Sequence, residues 1–449
     1  MRRTLLYSLL AIAGLTAALG ARQMPSSPVY AIRGARLVTA AGATIDTGNL
    51  VMRNGLIVDI GPNAAIPDDA VVVEGAGMTV YPGLIDMGNT AAIEGAGASG
   101  DPGARGTGPA TWADADQAKR EALLNPDFEA ARHVRVGGAD MQRLASAGIT
   151  SVLAVPPDGL IKGQSALINT RGAEAADDIS AVAGYRRGAV VIRTPVAQHV
   201  SLSVARGGGA GGYPAALLGT ISFVRQSFAD AAWQKNARMW AAKHADQPRP
   251  DFEPALDALA PALEGRMPVA FEAGELREIL RALAMAREFK LDPIINGGLE
   301  AAEAVADLKA AGARVILTLN AGGAAGQAGG GRGGAAADTA IRVTRMQQNA
   351  PKAAAALEKA GIAYAFSSQG LQAPSDFVRG VARAIREGGL TEDQAIRALT
   401  VNAAKMAGAA DRLGALEKGK IANLIVTDGA LFADATRIRR VFIDGREVR

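Results

Sequence analysis

The stretch YPGLIDMGNT, Tyr81 to Thr90, lies where the texture of the chain changes. Before it, short alternating runs dominate; after it, strands and helices alternate. Its apolar middle reads as a short strand led in by Pro82-Gly83, and the strand delivers Gly88, Asn89 and Thr90 from its far end. It contains no histidine.

Working outward toward the N-terminus, "YAIRGARLVTA", "GNLVMRNGLIVDIGP" and "AVVVEGAGMTVYPG" are strand-like, with Asn54-Gly55 as a hairpin turn. The far end has the same texture in "KIANLIVTDGALF" and "IRRVFIDGREVR", where Asp444-Gly445 is a second hairpin turn. Two β-rich ends around a mixed middle point to one small β domain built from both termini. In the middle, strands at 267–271, 291–295 and 313–319 alternate with helical spacing at 275–289 and 299–311, a repeat of roughly 20 to 25 residues per βα unit. Residues 148–155 and 361–368 read as further strands, each following a glycine that would cap a helix. Thr391 and Gln394 form a capping box. The expected fold class is α/β: a (β/α)8 TIM-like barrel over 81–410 with a small composite β-sandwich from 28–80 and 411–449. An open doubly wound sheet is the alternative.

The 449 residues suit a large barrel with a satellite, and 49% apolar residues suffice for a sizeable core. Residues 1–20 read as a signal peptide: Arg2 and Arg3, an apolar run from Leu5 to Leu19, and a small-residue cleavage site at Ala18-Leu19-Gly20. Export to a periplasmic or secreted location is expected, with no stable membrane span after the signal is removed. The net charge is +4, and Arg2 and Arg3 leave with the signal, so nucleic acid is not an expected partner. The chain has no cysteine, which excludes thiolate chemistry and disulfide staples.

Gly95–Gly100 and Gly207–Gly212 match G-x-G-x-x-G, but Asp101-Pro102 and Tyr213-Pro214 follow where a dinucleotide site needs a helix. Both sit in glycine-rich tracts (95–108 and 206–212, with a third at 321–334) that read as loops. Gly163-Gln164-Ser165-Ala166-Leu167 lacks the second glycine of a nucleophile elbow. Of three histidines, His133 and His244 fall in charged helical contexts, and His199 in an extended one. No histidine pair is close in sequence, so the usual ligand sets of a catalytic zinc are missing. Glu272, at a strand end, is the best-placed carboxylate; its alternative role is at the positive end of helix 275–289.

"VYPGLID", the segment 399–429 (LTVNAAKMAGAADRLGALEKGKIANLIVTDG), and "GQSALINTRG" with "GYPAALLGTISFVRQSFADAAW" together resemble the amidohydrolase superfamily, within it the exported, imidazolonepropionase-like branch. The resemblance implies the barrel and composite sandwich, hydrolysis of non-peptide C–N bonds, and one or two divalent metals. The implied ligand positions fall on Gly88 and Thr90, on Glu272, on Asn296 or Gly297, and near Gln369; no strand-four lysine aligns. The ligand set is degenerate, and no metal cofactor is expected. Gly88, Thr90, Glu272, Asn296 and Gln369 are expected to converge on one vestigial pocket. The favoured expectation is a catalytically impaired protein that binds a small molecule, forms a homo-oligomer or pairs with an intact relative. The alternative is a hydrolase of a cyclic amide or peptide-like substrate with a rebuilt site of Glu272, His199 and Asp376. A structural envelope protein has no repeat in its favour.

Overall fold

The computed structural model describes residues 28–94, 117, 120–135, 137–171, 190–203, 213–214, 216–320 and 335–448. The signal segment and the three glycine-rich tracts lie outside the described residues. Among those described, no helix is long and apolar enough to cross a membrane.

Both ends of the chain build one eight-stranded sheet. It contains β1 (Val29–Leu37), β2 (Ile45–Arg53), β3 (Leu56–Gly61), β4 (Ala70–Glu74) and β5 (Thr79–Pro82), joined by the three C-terminal strands, Leu424–Thr427, Ile438–Ile443 and Arg446–Glu447. The two hairpin turns are as the sequence predicts. Asn54 and Gly55 have φ of 51° and 81°, and Asp444 and Gly445 have 51° and 66°, the left-handed pairs that a two-residue turn demands. The composite origin of this sheet matches the expectation; a second sheet facing it is not among the described ladders.

Gly83 separates that sheet from the mixed part of the chain. A Cβ there would lie 2.1 Å from Thr150 Oγ1, so only glycine lets the strand cross from β5 to β6 (Leu84–Asn89). The following strands are β7 (Ile149–Ala154), β8 (Ile161–Gln164), β9 (Ala166–Asn169), β10 (Val191–Arg193), β11 (Gln198–Ser201), β12 (Val269–Ala273), β13 (Pro293–Gly297), β14 (Arg314–Thr318) and β15 (Tyr364–Ser367). One sheet runs β10-β9-β7-β6 and another β15-β14-β13-β12-β11-β8. Ser165 alone separates β8 from β9, so the order continues from one sheet to the other. This arrangement is consistent with a TIM-barrel-like fold, with β11 to β15 parallel throughout.

The third position departs from a regular (β/α)8 barrel. β9 runs antiparallel to β7, and β8 antiparallel to β11. The cause is local. Residues 155–160 are too few for a crossover helix, and Gly159, at φ 100°, turns the chain straight back. Among the described strands no ladder joins β15 to β6; side chains join them instead.

The helices used below are α1 (Ala139–Ser146), α2 (Leu217–Ala241), α3 (Leu276–Phe289), α4 (Ser375–Gly388) and α5 (Glu392–Leu399). α3 buries Ile279, Ala282, Leu283 and Ala286 on one face, as the helical spacing predicts. α5 opens with the predicted box: Thr391 Oγ1 accepts from Gln394 N, and Gln394 Oε1 accepts from Thr391 N. Ile85, Met87, Leu153, Ala270, Ile294, Ile316 and Ala365, from β6, β7 and β12 to β15, form one buried apolar plug. Glu272, Asn296 and Thr318 stand two residues beyond plug residues along β12, β13 and β14.

Candidate functional site

The strand ends above the plug carry the chemistry. Glu272, Asn296, Thr318 and Gln369 line one cavity of about 350 Å³, together with Asn320 and Ser203. An adjoining cavity of about 210 Å³ is lined by Asn89, Thr90, Ser368 and Gln369, among others. Gln369 therefore lies between the two. Gly88 faces the same place: a Cβ on it would be 2.5 Å from Ser367 Oγ and 3.7 Å from Gln369 Oε1. The strand-end residues singled out in the sequence are thus neighbours in space.

Glu272 projects inward from β12, in register with Ser201 and Asn296. Lys162 Nζ donates to its Oε1 at 2.6 Å and to the carbonyl of Pro157 at 3.2 Å. Both side chains are largely buried, at 11% and 22% exposure, so each neutralises the other away from bulk water. Lys162 reaches this level only because β8 runs backwards. No motif marks it in the sequence, where it is a lone charge in "GLIKGQSALIN".

Asp86 stands within the stretch Tyr81 to Thr90 and carries no motif of its own. It is fully buried. Its Oδ1 accepts from Ser368 N at 2.8 Å and Gly88 N at 3.1 Å, and its Oδ2 accepts from Ser368 Oγ and Asn89 Nδ2. Ser367 Oγ donates to the Gly88 carbonyl at 3.0 Å. These bonds tie β15 to β6 where no ladder does. Burial pushes the Asp86 carboxyl up to about 6, against the lowering effect of its four donors. The available signal is a single carboxylate in the middle of a short, mainly apolar strand.

His199 and Asp376 do not join Glu272. His199 is paired in register with Ala270, so it points into the plug, one level below Glu272. It is fully buried, and neither ring nitrogen has a hydrogen-bond partner. Burial, and then the charge of Lys162, hold its pKa down to about 3, so the ring is neutral. Asp376 sits in the first turn of α4, where it pairs with Arg379 and accepts from Ala373 N. The rebuilt triad expected as an alternative is therefore not assembled. His133 is exposed and stacks on Phe128; His244 is exposed and stacks on Trp240.

These donors do not suit a divalent cation. Glu272 already holds an ammonium group, the carboxylate of Asp86 is filled by four donors, and Asn296 and Gln369 offer neutral amides. Among the described residues, no group of three His, Cys, Asp or Glu side chains is placed to hold a metal ion. The arrangement can hydrogen-bond a neutral polar molecule: the Asn296, Asn320 and Gln369 amides and the Thr318 hydroxyl present donors and acceptors around one space.

The profile of the amidohydrolase family matches residues 302–448. No curated protein matches the chain in sequence. The crystal structure of an amidohydrolase from Thermotoga maritima is 22% identical and superimposes with a TM-score of 0.72, covering 94% of this chain and 99% of that one. A prolidase solved with N-methylphosphonate-L-proline is 18% identical, with a TM-score of 0.52, covering 94% and 99%. A Xaa-Pro dipeptidase with methionine in its active site is 18% identical, with a TM-score of 0.51, covering 93% and 99%. The fold is therefore the one seen in solved amidohydrolases, and residues 302–448 carry that family's sequence pattern.

Proposed function

We propose that this is an exported amidohydrolase-fold protein, of the imidazolonepropionase-like branch, that binds a small amide-bearing molecule at the strand ends without metal-assisted hydrolysis. In this reading the strands close as a (β/α)8 barrel beside a composite β-sandwich. The observation that carries it is that Glu272, at the wall of the cavity, already holds Lys162 at 2.6 Å, while Asn296, Asn320, Gln369 and Thr318 line the same cavity beside Glu275, Glu278, Leu299 and Met346. A catalytic metal lowers the pKa of its water to ~7. No other described group at these strand ends is set to supply that shift.

Asn296, Asn320 and Gln369 can each both donate and accept, which suits the N–H and C=O of a cyclic amide or dipeptide. The neighbours described as a prolidase and a Xaa-Pro dipeptidase support a peptide-like ligand. The test is elemental analysis of the purified protein, followed by calorimetric titration with Gly-Pro and with hydantoin. Binding without stoichiometric metal, and without turnover, is the expected result. A tightly held zinc, manganese or iron at one or two per chain overturns it.

A further inference from the structure

We infer that a separate cavity, away from the strand ends, binds one medium-chain alkyl carboxylate such as decanoate, with Arg437 holding the carboxylate. The cavity has a volume of about 410 Å³ and shares no lining residue with the two strand-end cavities. That volume lies within the range of small-ligand sites. One wall is a single line along α4, where Ser375, Val378, Arg379, Ala382 and Arg386 recur at helical spacing. At 1.5 Å per residue that line is about 16 Å long, so the cavity is an elongated groove. The segment 431–438 and the C-terminal end of α1 supply its other walls.

Two features select the ligand. The first is an apolar floor beneath a charged rim. Ala382, Leu431 and Phe432 are buried, Val378 and Ile438 are half-buried, and all five pack in or against the main core. Arg379, Arg386 and Arg437 are exposed around them. A recessed floor of this length admits a single straight chain, which covers apolar surface that a polar molecule would leave wet. The second is charge. The ionisable side chains lining the groove are three arginines and one aspartate. Arg379 pairs with Asp376, and Arg386 lies 3.6 Å from Asp434, which is 94% exposed, so that pair is a weak one. Arg437 has no side-chain partner among the described residues. Its backbone N–H donates to Asp428, whose carboxylate takes the guanidinium of Arg439. The groove thus carries one uncompensated positive charge, on a planar group whose paired N–H donors match a carboxylate.

The experiment is calorimetric titration of the full chain with decanoate, octanoate and 1-octanol, all below their micelle thresholds. Each buried methylene is worth roughly fourfold in affinity. The expected result is one decanoate per chain, octanoate at least fivefold weaker, and 1-octanol at least tenfold weaker than octanoate. Arg437→Gln, at an exposed position and with its fold checked by circular dichroism, should weaken decanoate at least tenfold. Arg383→Gln should leave binding unchanged, since Arg383 pairs with Glu387 and does not line the groove. No saturable binding up to ~2 mM decanoate overturns the proposal, as does 1-octanol binding as well as octanoate, or equal weakening by the two variants. A protein that ignores decanoate but co-sediments with phosphatidylglycerol vesicles also overturns it and makes the arginine rim a membrane-surface contact.

Discussion

At Gly88, a strand end that the resemblance would furnish with a histidine has instead closed up. Ser367 Oγ occupies the space that any Cβ would enter. Restoring the family residue with Gly88→His is therefore expected to destabilise the protein by about 1–3 kcal/mol through overpacking and to recruit no metal. Urea unfolding and elemental analysis check the two halves, and Ser367→Gly in the same chain should recover part of the loss. The Lys162–Glu272 pair makes the second residue-scale prediction. Removing one partner leaves a charge in a largely dry place, so Glu272→Ala should cost about 3 kcal/mol. Lys162→Met with Glu272→Met should cost less than the two single losses added, a coupling that a double-mutant cycle reads directly. Glu272 was legible in the sequence because it ends an obvious strand. Lys162 was not, because its partner lies 110 positions away on a strand whose direction only the fold reveals.

The seam between β6 and β15 shows how an element can be held by side chains in place of a ladder. Asp86 carries it, with a carboxyl pushed up to about 6 by burial. A folded-state pKa above the unfolded one means that the native state holds its proton more tightly. The contribution of Asp86 is then full below the ordinary carboxylate range and is lost as pH rises toward 6. The stability advantage of wild type over Asp86→Asn should shrink by about 2 kcal/mol between pH 4.5 and 7.5, since one pKa unit is worth about 1.4 kcal/mol. Urea titrations at the two pH values measure it; an advantage that is flat or grows removes the assignment. Helix α5 offers a plainer case. Its capping box was visible as Thr391 followed by Gln394, and Thr391→Ala should cost about 1 kcal/mol, read by thermal unfolding. Caps and two-residue turns are legible because both ends of the interaction lie within a few residues. The reversed strand β8–β9 was not, since a regular (β/α)8 pattern predicts every strand parallel and only the six-residue link at 155–160 hints otherwise.

Across the whole molecule, a buried polar cluster pins the terminal sheet to β7 and β9. Asn423 Nδ2 donates to Ser151 Oγ and to Asn169 Oδ1, its Oδ1 accepts from Asp444 N, and its carbonyl accepts from Gly83 N. Asn169 Nδ2 in turn donates to Asp444 Oδ1. Asn423→Ala would strand the Asp444 N–H, at about 1–3 kcal/mol, and leave Ser151 Oγ and Asn169 Oδ1 with only each other. The expected outcome is a marked loss of stability and a split of the unfolding transition into two, seen by comparing near- and far-ultraviolet dichroism. The sequence by itself determined the alternation of strands and helices, the two Asn-Gly and Asp-Gly hairpins, the pooling of both ends into one sheet, and the loss of histidine from the strand ends. Those features depend on local periodicity, on φ preferences of a few residues, and on composition, all of which are written along the chain. Only the tertiary structure decided that Lys162 neutralises Glu272, that Asp86 joins β6 to β15, that His199 is sealed in the apolar plug, and that α2 turns Trp233 and Trp240 outward. Each of these depends on which distant strand or helix lies alongside, and on how much water remains there, and neither is encoded in the spacing of neighbours.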